Sequence, residues 1–141
     1  MYSISKDGLR AIMKLEGFKK SVYRDVAGLL TIGVGHLLTK AELSSGQLQD
    51  VDVMWRHGLS DDMVLELLNA DVAKFVTGVN NVVTSRLSQA ELDTLVSFSF
   101  NIGLGNFGKS TLLRKLNAGE HSAVPAELRK WNKAGGKEAK G

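Results

Sequence analysis

Apolar residues fall at Leu9, Ile12 and Met13, one face of a helix, and the next position on that face is Glu16. Three starts of one kind punctuate the chain: Ile4-Ser5 with Leu9, Leu59-Ser60 with Val64, and Leu87-Ser88 with Leu92. Each places an apolar residue, a serine cap and a second apolar residue at hydrophobic-staple spacing, and Glu91 adds a capping box to the last. A further start at Ser110, followed by Thr111-Leu112-Leu113 and Leu116, runs to a stop at Gly119. A last helix leads up to Trp131, with Pro125 near its first turn and Gly135-Gly136 beyond its end. Between the first two long helices the period changes. Residues 21–36 are rich in Val, Ile, Tyr and Thr, and Val26-Ala27-Gly28 interrupts them, which predicts a hairpin. The helix over 88–100 carries Leu92, Leu95, Val96, Phe98 and Phe100 on more than one face, so it is predicted to be the most enclosed. Residues 41–52 show the least pattern and are expected to be loop or mixed structure. The order of patterns predicts an α+β fold, mainly α, with a small N-terminal antiparallel sheet followed by a helical body.

With 141 residues, 43% of them hydrophobic, the chain fits one compact domain over 1–141 with a core of its own. It has no Cys, which excludes a disulfide framework, a zinc-thiolate site and a thiol nucleophile. A net charge of +3 is a mild case for an anionic partner. Nucleic acid is the weakest reading, because basic and aromatic residues do not interleave on a recognisable motif. The one basic concentration, Arg129, Lys130, Lys133, Lys137 and Lys140, reads first as a solvated tail. The start Met1-Tyr2-Ser3-Ile4-Ser5 lacks the apolar core of a signal peptide, and no later run approaches a membrane span, so membrane insertion is not expected.

Chemistry concentrates around the hairpin. Glu16 takes a slot that the helix pattern reserves for an apolar residue, in the last turn, where the helix dipole disfavours an anion. Both effects favour the protonated acid, which can give its proton to a leaving glycosidic oxygen. On pattern alone a boundary residue or ion-pair partner fits Glu16 equally well. Read as one strand, the segment after the turn puts Thr31, Gly33 and Gly35 on a bare face fit to floor a cleft, and Ile32, Val34 and His36 on the core face. Asp25, nearer solvent, is expected to stay ionised and to hold a water together with Thr31, although Asp is also common in turns. His36 reads first as structural. The stripe Val64, Leu68, Asp71, Phe75 offers it a partner, and a His36–Asp71 pair tying the hairpin to the helical body is expected.

These residues resemble the lysozymes of tailed phages, the endolysins of glycoside hydrolase family 24. The motif has Glu, eight residues, Asp, five residues, Thr and then Gly-x-Gly-His, met here by Glu16, Asp25, Thr31 and Gly33-Val34-Gly35-His36. The likeness continues through Leu67–Val72, Leu92–Phe98, Phe100–Gly103 and Leu116–Gly119 to Trp131–Gly136, covering nearly the whole chain. It implies a lysozyme-like fold of a small β-containing lobe and a larger helical lobe with the cleft between them. It also implies hydrolysis of the β-1,4 bond between N-acetylmuramic acid and N-acetylglucosamine in peptidoglycan, by an inverting route that needs no metal or cofactor. By the same resemblance Glu16 is the general acid, Asp25 and Thr31 position the water, and Leu37, Phe100 and Ser110 contact glycan. The implied partners are peptidoglycan strands and, functionally, a holin that lets the protein out of the host cytoplasm to the cell wall. Family chains continue into a further segment where this sequence stops at Gly141, so exposed apolar surface and weakened activity are expected. Two other readings stay open: a peptidoglycan-binding protein without turnover, and a lytic transglycosylase, against which Asp25 and Thr31 argue.

Overall fold

A computed structural model of the chain describes residues 3–134. The Gly135-Gly136 stop, Lys137 and Lys140 of the basic cluster, and Met1-Tyr2 lie outside the described residues. The elements are α1 (Lys6–Glu16), β1 (Lys19–Arg24), β2 (Leu30–Gly33), β3 (His36–Leu37), α2 (Lys40–Ser45), α3 (Asp61–Val82), α4 (Gln89–Ile102), α5 (Leu104–Gly108), α6 (Thr111–Asn117), a 3-10 turn (His121–Ala123) and α7 (Val124–Ala134). Helix therefore dominates, with one small antiparallel sheet in the order β1-β2-β3. No helix among the described residues is long and apolar enough to cross a membrane.

The capping serines do what their spacing predicts. Ser5 Oγ accepts the Gly8 N–H at 3.0 Å, Ser60 Oγ that of Met63 at 3.2 Å, and Ser110 Oγ that of Leu113 at 3.1 Å. At Ser88 the box is reciprocal: its hydroxyl accepts from Glu91 N–H, and Glu91 Oε1 accepts from Ser88 N–H. Each bond removes one orphan donor from a helix start.

The chain divides into two compact units, Leu9–Ala73 and Met1–Gly8 with Lys74–Gly141. In the first, Ile12, Ile32, Leu48, Leu67, Leu68, Val64 and Val72 are almost wholly buried, so the α1 stripe, the middle strand and one face of α3 share a core. In the second, Leu92, Leu95, Val96, Phe98 and Ser99 of α4 are buried, and Phe98 meets Phe107 and Trp131 edge-on at centroid distances of 6.1 and 5.6 Å. Edge-to-face pairs of this kind add to what their burial contributes. Phe100, counted above with the enclosed face, is only half-buried and stands edge-on to Phe75 at 5.3 Å.

Three stretches add to or correct the local expectations. Residues 41–52 are mixed structure, as expected: α2, capped at Thr39 by a box with Glu42, ends at Gly46 in the left-handed conformation, and irregular chain follows. The short helix α5 was not anticipated, because Gly105 and Gly108 dilute its pattern; it forms where fully buried Phe107 anchors it. The segment from Thr31 to His36 is not one strand. Gly33 and Gly35 both have φ of 67°, so the chain reverses at Gly33-Val34-Gly35 and His36 opens a third strand.

Gly78, inside α3, is a packing requirement. A Cβ there would lie 2.5 Å from Leu104 Cδ2. Gly78→Ala gains about 1 kcal/mol of helix propensity but forces an overpacked contact that costs about 1–3 kcal/mol. The expected outcome in thermal or urea unfolding is a net loss of stability of about 1 kcal/mol, against the gain that propensity alone predicts.

Candidate active site

Glu16 is the last residue of α1. Gly17 follows at φ 78°, its N–H donating to the Met13 carbonyl at 2.9 Å, and this left-handed residue ends the helix and turns the chain into β1. Glu16 is half-buried at that corner, while Leu9, Ile12 and Met13 of the same stripe are buried.

Asp25 closes the first hairpin. Its backbone pairs with Leu29 through Asp25 N–H to the Leu29 carbonyl at 2.9 Å, and its carbonyl accepts Gly28 N–H at 2.9 Å. Its side-chain Oδ1 accepts two further N–H groups, from Ala27 and Leu29, both at 2.9 Å. The turn chemistry expected of an aspartate at this place is therefore present. One carboxylate oxygen is spent on the loop, and Oδ2 has no partner among the described residues. Thr31 lies two residues beyond Leu29, on the same sheet face as Asp25. Its hydroxyl donates to the Leu29 carbonyl at 2.9 Å, which leaves the oxygen's lone pairs as acceptors.

That face is not the bare floor the glycines suggested. Tyr23, Thr31 and Leu37 stand in register across the three strands, Thr31 is 1% exposed, and Gly33 packs against Leu67, whose Cδ2 would lie 3.2 Å from an added Cβ. Leu37, at the end of the row, is half exposed. The other two residues expected at the glycan lie in the second unit. Ser110 is buried there, and its hydroxyl is engaged twice, accepting from Leu113 N–H and donating to the Phe107 carbonyl at 2.7 Å. Phe100 presents part of its ring.

His36 and Asp71 meet: Nδ1 lies 2.8 Å from Asp71 Oδ2 and 3.1 Å from Oδ1. The sequence reading missed the third member. Glu42 Oε1 lies 2.9 Å from His36 Nε2 and also accepts Thr39 N–H at 2.9 Å, while Oε2 accepts Gln49 N–H at 3.0 Å. A signal for it existed, since Thr39-Lys40-Ala41-Glu42 has capping-box spacing. With a carboxylate on each ring nitrogen, His36 is an imidazolium that donates both N–H groups. Burial by itself would lower its pKa. The hydrogen bonds and charges of Asp71 and Glu42 outweigh burial and raise it from 6.5 to about 9. For Glu42 burial opposes ionisation, and the Thr39 and Gln49 amides together with His36 overcome it, so its pKa lies below the ordinary 4.5.

The phage lysozyme family model matches residues 13–141. This chain belongs to the phage lysozyme family. The endolysin of Bacillus phage B103 is 36% identical over 137 residues, 96% of this chain. The chain spans about half the length of that endolysin and of its Bacillus phage PZA counterpart, 48% and 50% respectively. Among solved structures, a mutant P22 lysozyme superposes with a TM-score of 0.76 at 30% identity, covering 90% of this chain and 82% of that one. The muramidase domain of SpmX from Asticaccaulis excentricus gives 0.75 at 30% identity, covering 94% and 81%. The mainly helical α+β architecture is thus that of the lysozymes.

In this member of the phage lysozyme family the His36 cluster makes stability depend on pH from two sides. His36 binds its proton more tightly folded than unfolded, so its contribution is complete below 6.5 and disappears as pH rises through about 9. Glu42 has the opposite sign: its contribution is complete above 4.5 and is lost as pH falls. Both are at full strength between pH 4.5 and 6.5. Asp71→Asn is expected to lower the His36 pKa seen by NMR, to cost about 2 kcal/mol, between the exposed and buried limits for an ion pair, and to flatten the alkaline fall in Tm. An unchanged histidine titration would contradict this.

Proposed function

We propose that this chain is a muramidase of the endolysin type, a single catalytic domain over 1–141. It hydrolyses the β-1,4 bond between N-acetylmuramic acid and N-acetylglucosamine of bacterial peptidoglycan with inversion at the anomeric carbon. The observation that carries this reading is the half-committed carboxylate of Asp25, fixed through Oδ1 by Ala27 and Leu29 N–H and open at Oδ2, on the same hairpin face as the Thr31 hydroxyl. A carboxyl group held in this way, with one oxygen fixed and the other open, is placed to take a proton from water. Thr31, whose own proton is committed to the Leu29 carbonyl, accepts the second hydrogen of that water.

Glu16 at the end of α1 supplies the acid. In one displacement its proton passes to the leaving glycosidic oxygen as the C–O bond breaks, the water oxygen bonds to the anomeric carbon, and the water proton goes to Asp25. Proton exchange with solvent restores both carboxyl groups. This chemistry draws on two carboxyl groups, a hydroxyl and water, so no cofactor enters the proposal. Leu37, half exposed beside Thr31, is proposed to line the glycan path. Phe100 and Ser110 are carried as further glycan contacts by the family resemblance; Ser110 also caps α6. The biological role that follows from kinship with endolysins is lysis of a bacterial host, with passage from cytoplasm to wall through a holin-opened membrane.

Purified cell wall is the test substrate. Glu16→Gln and Asp25→Asn are each expected to lower the rate of reducing-end release roughly 100- to 10,000-fold with the fold intact; activity equal to wild type in both would overturn the assignment. The first product anomer, read by NMR, is expected to be α, and anhydro-muramic ends would instead identify a transglycosylase. In cells, expression with a holin is expected to lyse the culture and expression without one to leave it intact; lysis in both would remove the holin from the proposal.

A further inference from the structure

Glu42 does more than cap α2. For the capping box alone its carboxylate need only accept Thr39 N–H. The residue is instead 1% exposed, its carboxylate also bonds Gln49 N–H and His36 Nε2, and its main-chain carbonyl takes the Trp55 indole N–H at 2.8 Å. On the other side of the ring Asp71, from α3, holds Nδ1. His36 therefore cannot turn about its own axis without breaking a charge-assisted bond at one end.

What the ring holds is β3, a strand of only two residues. His36 pairs with Ile32, and Leu37 pairs with Thr31. Adjacent strand residues point to opposite faces, so the clamp acts on the face opposite Thr31 and fixes the backbone against which Thr31 is registered. Because Thr31 is buried and its hydroxyl is bonded to the carbonyl of Leu29, the residue just before β2, the hydroxyl moves with β2 and with the β3 strand paired to it.

We infer that Glu42 is a positioning residue for the hydrolytic water, holding the β2–β3 pair, and through it the Thr31 hydroxyl, by its bond to His36. The inference rests on the muramidase reading above. Glu42 is buried away from solvent, so it acts through the strand, and small displacements of a water-binding group lower the chemical step more than they lower binding.

The experiment compares wild type, Glu42→Gln and Glu42→Asp on purified peptidoglycan, well below the unfolding temperature of each. Glu42→Gln keeps the shape but supplies an acceptor on one atom only, so it cannot serve Thr39, Gln49 and the imidazolium together. The expected result is a fall in kcat of about tenfold with KM unchanged. The alkaline limb of the kcat profile should move to lower pH along with the histidine titration followed by NMR. Partial recovery is expected in Glu42→Asp, which keeps the charge. A kcat equal to wild type in a folded Glu42→Gln protein overturns the inference, as does a change confined to KM. If Glu42→Gln does not fold, Glu42→Asp carries the test through the same kcat, KM and pH readouts. An inactive wild type would instead refute the muramidase reading, and a Glu16→Gln control separates the two failures.

Discussion

The imidazole of His36 is the joint on which one compact unit depends. Three segments that make little contact through secondary structure converge on it: β3 through its own backbone, α2 through Glu42 and α3 through Asp71. A two-residue strand forms too few ladder bonds to hold itself in place, and β3 gains from side-chain bonding what its ladder lacks. Burying charge is costly unless every partner is present. Here each carboxylate meets donors, and no buried side-chain polar atom among the described residues lacks a partner. The joint also gathers the irregular stretch beyond α2, since the Gln49 backbone N–H ends on the Glu42 carboxylate and the Trp55 indole N–H on its main-chain carbonyl.

The corner at Gly17 and the loop at Asp25 frame the rest of the candidate chemistry. In both, backbone geometry and reactive group belong to the same few residues. Glu16 stands where α1 must stop because Gly17 turns left-handed, and Asp25 stands where its side chain must bond the loop amides. All three proposed catalytic residues lie within Leu9–Ala73, whereas the aromatic cluster of Phe98, Phe107 and Trp131 belongs to the other unit.

The parts legible in the sequence were those written locally. Serine caps, the Leu9-Ile12-Met13 stripe and the Val26-Ala27-Gly28 loop each depend on residues a few positions apart, and each forms as its spacing predicts. Asp71 was legible for a similar reason, since a carboxylate in an apolar slot of α3 asks for a partner. Glu42 was legible only as a cap, and not as a partner of His36, because that role is decided by the Gln49 amide and by a ring from another strand. The glycines misled in a different way. Alternation assumes extended backbone, and φ of 67° at Gly33 and Gly35 breaks that premise, turning one long strand into two short ones. Helix α5 escaped notice because its only strong signal is Phe107, a single residue whose weight comes from what surrounds it.

The loop that bonds Asp25 carries an evolutionary constraint. Val26 at its tip is fully exposed, so side chains there are free to vary. The count of residues is not free, because Ala27 and Leu29 amides reach Oδ1 only from a loop of this length with Gly28 left-handed. One residue more or fewer would aim the carboxylate elsewhere while leaving the hairpin able to form. Among descendants of this chain the tip should therefore drift in composition and stay fixed in length, and a graft that copies the aspartate without its loop would inherit the residue but not its direction.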